Sequence, residues 1–339
     1  MNRTGLHIFL LSLLIVLLFA ANLLLGSVSI PTGEVFRILL GEDAGRESWH
    51  YIVLEARLPQ ALTAMLAGSA LSACGLLLQT AFRNPLAGAS ILGVNSGAGL
   101  GVAVVMLWLG GGIAAAGFSL SGFFSVLAGA FVGALAVMAL ILFFSTLVRS
   151  NVMLLIIGLM VGYLASSVVS LLNFLSTAEG VQSYMVWGMG NFGGVSLRQL
   201  PAFAAVVLSG LAGALLLLKP LNVLLLGERY AANLGVQVRR VRNLLLVVVG
   251  VLTAVTTAFC GPILFIDLAV PHMARLLLGT ANHRILLPAT MLAGAVVSLA
   301  CNLACLLPGE AGLIPLNAVT PLIGAPIVIY VIVSQRSRG

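Results

Sequence analysis

Cys301 and Cys305 stand four residues apart, a spacing that puts two thiols on one helix face and can supply half of a tetrahedral metal site. No His, Asp or Glu lies beside them to complete it. Buried thiols packing like alanine account for this pair and for Cys74 and Cys260, so no metal site is assigned. Ser96, in the glycine-rich stretch NSGAG, and His272 form the one Ser–His combination suited to nucleophilic chemistry inside a membrane. Asp267, in GPILFIDLAVPH, is the one acid within an apolar run. Such an acid either faces an interior cavity or lies near the end of a short span, and alone it is thin support for ion coupling. Lys219 is the only lysine, so no G-x-x-x-x-G-K-[ST] phosphate loop exists, and H-E-x-x-H is absent. His7, His50, His272 and His283 are scattered.

What remains are breaks in otherwise apolar sequence. AFRNPLAGASILGVNSGAGLG (81–101) places Asn84-Pro85 and five glycines, Gly93 and Gly97 among them, between two apolar runs. Gly261-Pro262 and Pro271 do the same later. Irregular backbone at membrane depth is tolerated where it is buried in protein or lines a watery cavity. Asn84, Pro85, Gly93, Gly97, Gly261, Pro262, Asp267, Pro271 and His272 are therefore the candidates for a translocation path or its helix breaks. Small residues also let helices approach closely, which suffices for any one glycine.

The elements that position these residues must be membrane helices. The 339 residues are 61% hydrophobic and 7% charged, with mean hydropathy +1.18, too few charges to cover a water-facing surface. Continuous apolar runs such as Phe123–Val148 and Val152–Leu175 show none of the alternation of barrel strands, so the class is an all-α polytopic bundle. Spans are expected near 6–25, 60–82, 91–110, 119–148, 152–175, 200–218, 243–260, 262–278, 286–306 and 315–333. The first is longer than a signal-peptide core and reads as a retained span.

Ten spans put both termini on one side, and the basic residues make that side cytoplasmic. Of 16 Lys and Arg, only Arg37, Arg46, Arg57 and Arg198 fall in outer segments. Arg3, Arg83, Arg149, Lys219, Arg229, Arg239, Arg240, Arg242, Arg275, Arg284, Arg336 and Arg338 are inner, whereas Glu34, Glu42, Asp43, Glu47, Glu55, Glu179 and Glu310 are outer. The net charge of +7 thus follows from this asymmetry and requires no nucleic acid. One membrane domain covers 1–339, with an outer loop at about 26–58, in which TGEVFRILLG suits a short amphipathic helix, and a basic inner loop at about 219–242.

Four segments carry a resemblance: 57–101, LGERYAANLGVQVRRVR (226–242), 261–295 and LNAVTPLIGAPIVIYVI (316–332). In order and spacing they resemble the permease subunits of type II ABC importers for iron-siderophores, haem and cobalamin. The resemblance implies that fold in a bacterial inner membrane, paired as a homodimer of permeases. It implies two cytoplasmic ATPase subunits carrying ATP and Mg, a periplasmic substrate-binding protein, and no cofactor on this chain. Gly227, Glu228, Ala231, Leu234 and Gly235, with Arg239 and Arg240, then correspond to the segment that couples to the ATPase. Outer arginines, Arg57 first and then Arg37, Arg46 and Arg198, would grip acidic residues of the binding protein. Gln60, Asn302 and Cys305 stand where the family often carries charge, and Asp267 where Gly is common. An ion-coupled secondary carrier is the competing reading.

Overall fold

The computed structural model describes residues 3–42, 45–110, 112–115, 118–148, 150–306 and 314–336. Arg149, Asp43, Glu310 and Arg338 lie outside them. Fifteen α-helices are described: α1 (Arg3–Leu24), α2 (Thr32–Leu39), α3 (Glu47–Tyr51), α4 (Leu58–Phe82), α5 (Val94–Ala103), α6 (Phe123–Leu147), α7 (Asn151–Leu175), α8 (Ala178–Gly188), α9 (Leu200–Leu216), α10 (Leu218–Leu224), α11 (Glu228–Asn233), α12 (Val238–Cys260), α13 (Ile266–Leu278), α14 (His283–Cys305) and α15 (Leu316–Arg336). A π-helical stretch at Ile52–Arg57 joins α3 to α4, and another, Val104–Trp108, extends α5.

Every expected span has a helix, but not every helix crosses alone. Six are long and apolar enough, and α9 with α10, bent by 50°, makes a seventh. The fifth and thirteenth helices are shorter than the runs that announced them. In both, the preceding apolar residues are spent on irregular backbone, at 84–93 and 261–265. One correction concerns the fourth span, expected from residue 119. Gly110 and Gly122, at φ +64° and +59°, interrupt the helices. Between them an antiparallel hairpin pairs β1 (Gly112–Ala115) with β2 (Phe118–Ser121), Gly112 opposite Ser121.

The small residues of α4 place it at the centre: 78% of its most apolar window is buried, against 11% for α1. Around it pack α9, α12, α13 and α14, while α5 lies against α6 and α7. Gly97 and Gly101 on α5 meet Gly129 and Gly133 on α6, and Gly68 on α4 meets Gly294 on α14, backbone against backbone. Outside this core, α2 turns Val35 and Ile38 onto Leu23, Ile30 and Val53, the amphipathic outer helix its sequence implies.

Candidate functional site

Among the described residues, two cavities lie beside the helix breaks. The first, about 650 Å³, sits at the outer end of the fold, bounded by Thr177, Glu179, Ser183, Asn191, Phe259 and Gly261. The second, about 390 Å³, carries a row of short polar side chains: Ser90, Asn95, Ser96, Ser166 and Ser170. Trp187 borders both, and its ring stacks with Tyr184 at 6.1 Å between centroids. Two stacked aromatic rings on α8 therefore stand between an outer chamber and a polar one.

Of the nine residues expected along a path, the cavities are lined by Gly261 and Pro262. The other seven build the frame, for reasons of packing and hydrogen bonding. The α4 helix ends at Arg83, whose φ is +48°, and Asn84 Oδ1 accepts from Leu86 N–H at 2.9 Å. The His272 ring bonds the Pro85 carbonyl at 2.8 Å, and Asp267 Oδ2 accepts from Ala89 N–H at 2.8 Å. Asp267, Pro271 and His272 are buried on α13, which thus pins the loop 84–93. Gly93, at φ +77°, lies against Gly158 of α7, and Gly97 against α6. His272 is engaged by Pro85 rather than by Ser96, so the pair considered for nucleophilic chemistry is not assembled.

Asn317 holds the other break. Its Nδ2 donates to Gly188 O at 3.0 Å and Pro262 O at 2.6 Å, and its Oδ1 accepts from Leu264 N–H at 3.1 Å. One side chain at the start of α15 thereby satisfies backbone at the end of α8 and in the link from α12 to α13.

The arginines divide in a way that charge counting does not reveal. Arg37 is exposed and pairs with Glu34 at 3.2 Å, Arg46 lies 5.1 Å from the centre of the Trp49 ring, and Arg198 is exposed. Arg57 is a correction. It is 6% exposed, with its guanidinium turned inward to Leu23 O and Leu24 O at 2.9 and 3.1 Å and to Val28 O. It caps the carbonyl end of α1 and presents nothing to an outer partner. Arg57→Ala should therefore lower stability by about 3 kcal/mol, the scale of losing charged hydrogen bonds to buried carbonyls. An unchanged melting temperature would refute the cap.

Gln60 and Asn302 prove to be partners: Gln60 Nε2 donates to Asn302 Oδ1 at 2.9 Å, and Asn302 Nδ2 donates to Asn22 Oδ1 at 2.7 Å. A neutral amide chain joins α1, α4 and α14 where the resembling family often places charges. Cys305 is buried at the end of α14, three residues beyond Asn302.

At the inner end, Gly227 (φ +116°) and Gly235 (φ +83°) bracket α11. Ala231 is buried and faces the protein, while Leu226, Tyr230 and Leu234 are 62%, 55% and 57% exposed. Tyr230 and Leu234, four apart, share the outward face of α11 and its C-terminal end, and Leu226 adds exposed apolar surface just before the Gly227 turn. Glu228 opens α11, and Arg239 and Arg240 lie exposed in the first turn of α12. Arg242 turns inward instead, donating to Ser145 O at the end of α6 at 2.7 Å.

Sequence reading missed Ser90, Asn95, Ser166, Ser170, Tyr184, Trp187 and Asn317. Serines four apart within the apolar run of α7 were the available signal for a polar wall; the aromatic pair on α8 had none beyond its spacing.

A bundle of membrane helices broken at depth, with polar cavities beside the breaks, defines a membrane transport permease. The chain belongs to the FecCD transport family, whose model matches residues 13–334. It is 35% identical over 338 residues to the vitamin B12 import system permease protein of Klebsiella pneumoniae subsp. pneumoniae, covering 100% of this chain and 96% of that one. It is 34% identical over 336 residues to the hemin transport system permease protein of Yersinia pestis, covering 97% and 96%. Among solved structures, an inward-facing metal-chelate type ABC transporter matches with TM-score 0.81 and 31% identity over 95% of this chain and 98% of that one. The PsaBC complex of Streptococcus pneumoniae, at TM-score 0.50 and 18% identity over 81% and 90%, shares the fold alone.

Proposed function

We propose that the chain is the membrane-spanning subunit of an ATP-driven type II importer that moves cobalamin, haem or an iron chelate from periplasm to cytoplasm. Residues 1–339 act as one domain in a bacterial inner membrane, and two copies pair around the pathway. The cargo passes the outer chamber, the Tyr184–Trp187 pair and the serine-lined chamber. ATP and Mg reside on two separate ATPase subunits. A periplasmic binding protein docks on the outer face through Arg37, Arg46 and Arg198.

The exposed apolar surface of Leu226, Tyr230 and Leu234 carries this reading. Exposed apolar surface on the cytoplasmic side of a membrane protein marks a partner interface. Gly227 and Gly235 supply the backbone turns that hold this surface out, and Ala231 seats its back on the protein. The competing carrier needs a buried charge on the pathway, but Asp267, which holds Ala89 N–H through Oδ2, lines neither cavity.

The test is uptake into proteoliposomes holding this chain, its ATPase and its binding protein, with haem, a ferric siderophore and cobalamin offered in parallel. Accumulation of one cargo, lost without ATP, supports the reading. Uptake driven by a proton gradient without the ATPase overturns it. Leu234→Glu should weaken ATPase association at least about tenfold, the effect of burying an unpaired charge in an apolar contact, and leave insertion intact. Co-purification of the ATPase at wild-type yield would place docking elsewhere.

A further inference from the structure

We propose that His283, held between Thr80 and Asn222, is a positioning residue that ties the inner coupling helices to the loop 84–93 beside the serine-lined cavity. The proposal rests on the importer reading and adds the route by which motion at α11 reaches the pathway.

The geometry is closed at every joint. His283 is the first residue of α14 and is 1% exposed. Asn222, on α10, directs Oδ1 at the His283 backbone N–H (2.8 Å) and at Nδ1 of the ring (3.0 Å), and its Nδ2 donates to Asn282 Oδ1 at 2.9 Å. Asn282 Oδ1 also accepts from Arg284 N–H at 3.1 Å, so it must be the oxygen, and the Asn222 group facing it must be the amide nitrogen. The Asn222 oxygen therefore faces His283, which fixes the ring proton on Nδ1. The far nitrogen, Nε2, lies 2.8 Å from Thr80 Oγ1 in the last turns of α4. With the ring proton on Nδ1, Nε2 accepts the single Thr80 hydroxyl proton, which is then turned from Leu76 O, also 2.8 Å away. One imidazole thus spans from the cytoplasmic α10 to the central helix.

A second strut runs in parallel. Arg83, immediately after α4, donates to Leu225 O at 3.3 Å and reaches Leu224 O at 3.5 Å, the carbonyl end of α10. Three residues, 225–227, separate α10 from α11. The α4 end continues directly into the loop 84–93, which α13 holds through His272 and Asp267 and which presents Ser90 to the cavity. A displacement of α11 is therefore passed by short, hydrogen-bonded links to α4 and to the pathway wall. No long flexible segment intervenes to absorb it.

Thr80→Val preserves the packing shape and removes the hydroxyl. In proteoliposomes that transport with the wild-type chain, this variant and Asn222→Leu should retain ATP hydrolysis and move at least about tenfold less cargo per ATP. Thr80→Ser, which restores the hydroxyl, should restore the ratio. An unchanged ratio overturns the proposal, and so does an equal fall in hydrolysis and transport, or failure of every variant to assemble, since each marks a structural role alone. A second measurement needs no transport at all. Amide exchange in 84–93 of the purified permease should speed up about tenfold in Asn222→Leu, although that residue is on α10. Unaltered exchange there overturns the link even if the importer reading stands. A wild-type chain that shows this link but no ATP-driven uptake would instead count against the importer reading.

Discussion

Purified Asn317→Leu protein should melt roughly 10 °C below the wild type, a loss of about 4 kcal/mol. The substitution strips partners from three backbone groups at once: the carbonyls of Gly188 and Pro262 and the N–H of Leu264. The Leu264 N–H is exposed and can turn to water, but the Gly188 and Pro262 carbonyls are partly buried and carry much of their desolvation cost when left without a donor. Because α8, the 261–265 link and α15 share this one side chain, the loss is cooperative. Asn317→Asp should fall at least as far: one carboxylate oxygen still accepts from Leu264, but the other would face the Gly188 and Pro262 carbonyls with no proton between them. Thermal melting of the two variants in detergent, read beside the wild type, is the check. A leucine variant within 2 °C of wild type would mean that the break is held by other contacts.

Gly75→Val should have an effect at least as large. A Cβ at Gly75 would fall inside the van der Waals radius of the Asp267 carbonyl oxygen, which is backbone and cannot rotate away. The α4 and α13 helices would have to separate, opening the bond from Ala89 to Asp267 and freeing the loop 84–93. The cost lies at or above the upper end of overpacking, about 3 kcal/mol, and recovery of folded permease from membranes should drop severalfold. Gly33→Ala is the matched control. Gly33 is on α2, and nothing lies within 4 Å of an added Cβ, so alanine should be neutral or slightly stabilising there. Equal yields of both variants would show that the helices can part without consequence.

The spans and their order were legible because each carries its own apolar run, and a run needs no partner to be recognised. Helix length was not legible for α5 and α13. The residues that unwind before them, such as Gly88–Gly93 and Gly261–Phe265, are themselves largely apolar, so hydropathy cannot tell an unwound stretch from a wound one. The outer and inner sides were legible from charge, but the direction of each arginine was not. Arg57 and Arg242 satisfy carbonyls of neighbouring helices, and nothing local in sequence records that α1 or α6 ends beside them. Gln60 and Asn302 lie 242 residues apart, and a single sequence has no means of showing that two unexpected amides are each other's partner. The inner segment was legible as a motif. That Ala231 faces inward while Leu226 and Tyr230 face outward became clear once the backbone was placed.

The amide chain from Asn22 through Asn302 to Gln60 also sets an order of events. Most of α1 faces lipid, and its main polar ties to the rest of the molecule come from Arg57 and Asn302. Arg57 is synthesised 34 residues after Leu23, whereas Asn302 emerges 280 residues after Asn22. During insertion the first helix must therefore wait in the bilayer with Asn22 Nδ2 bonded only within its own turn, to Leu18 O. The amide tie of the first helix forms late, when α14 arrives, and only the docking of α15 follows it.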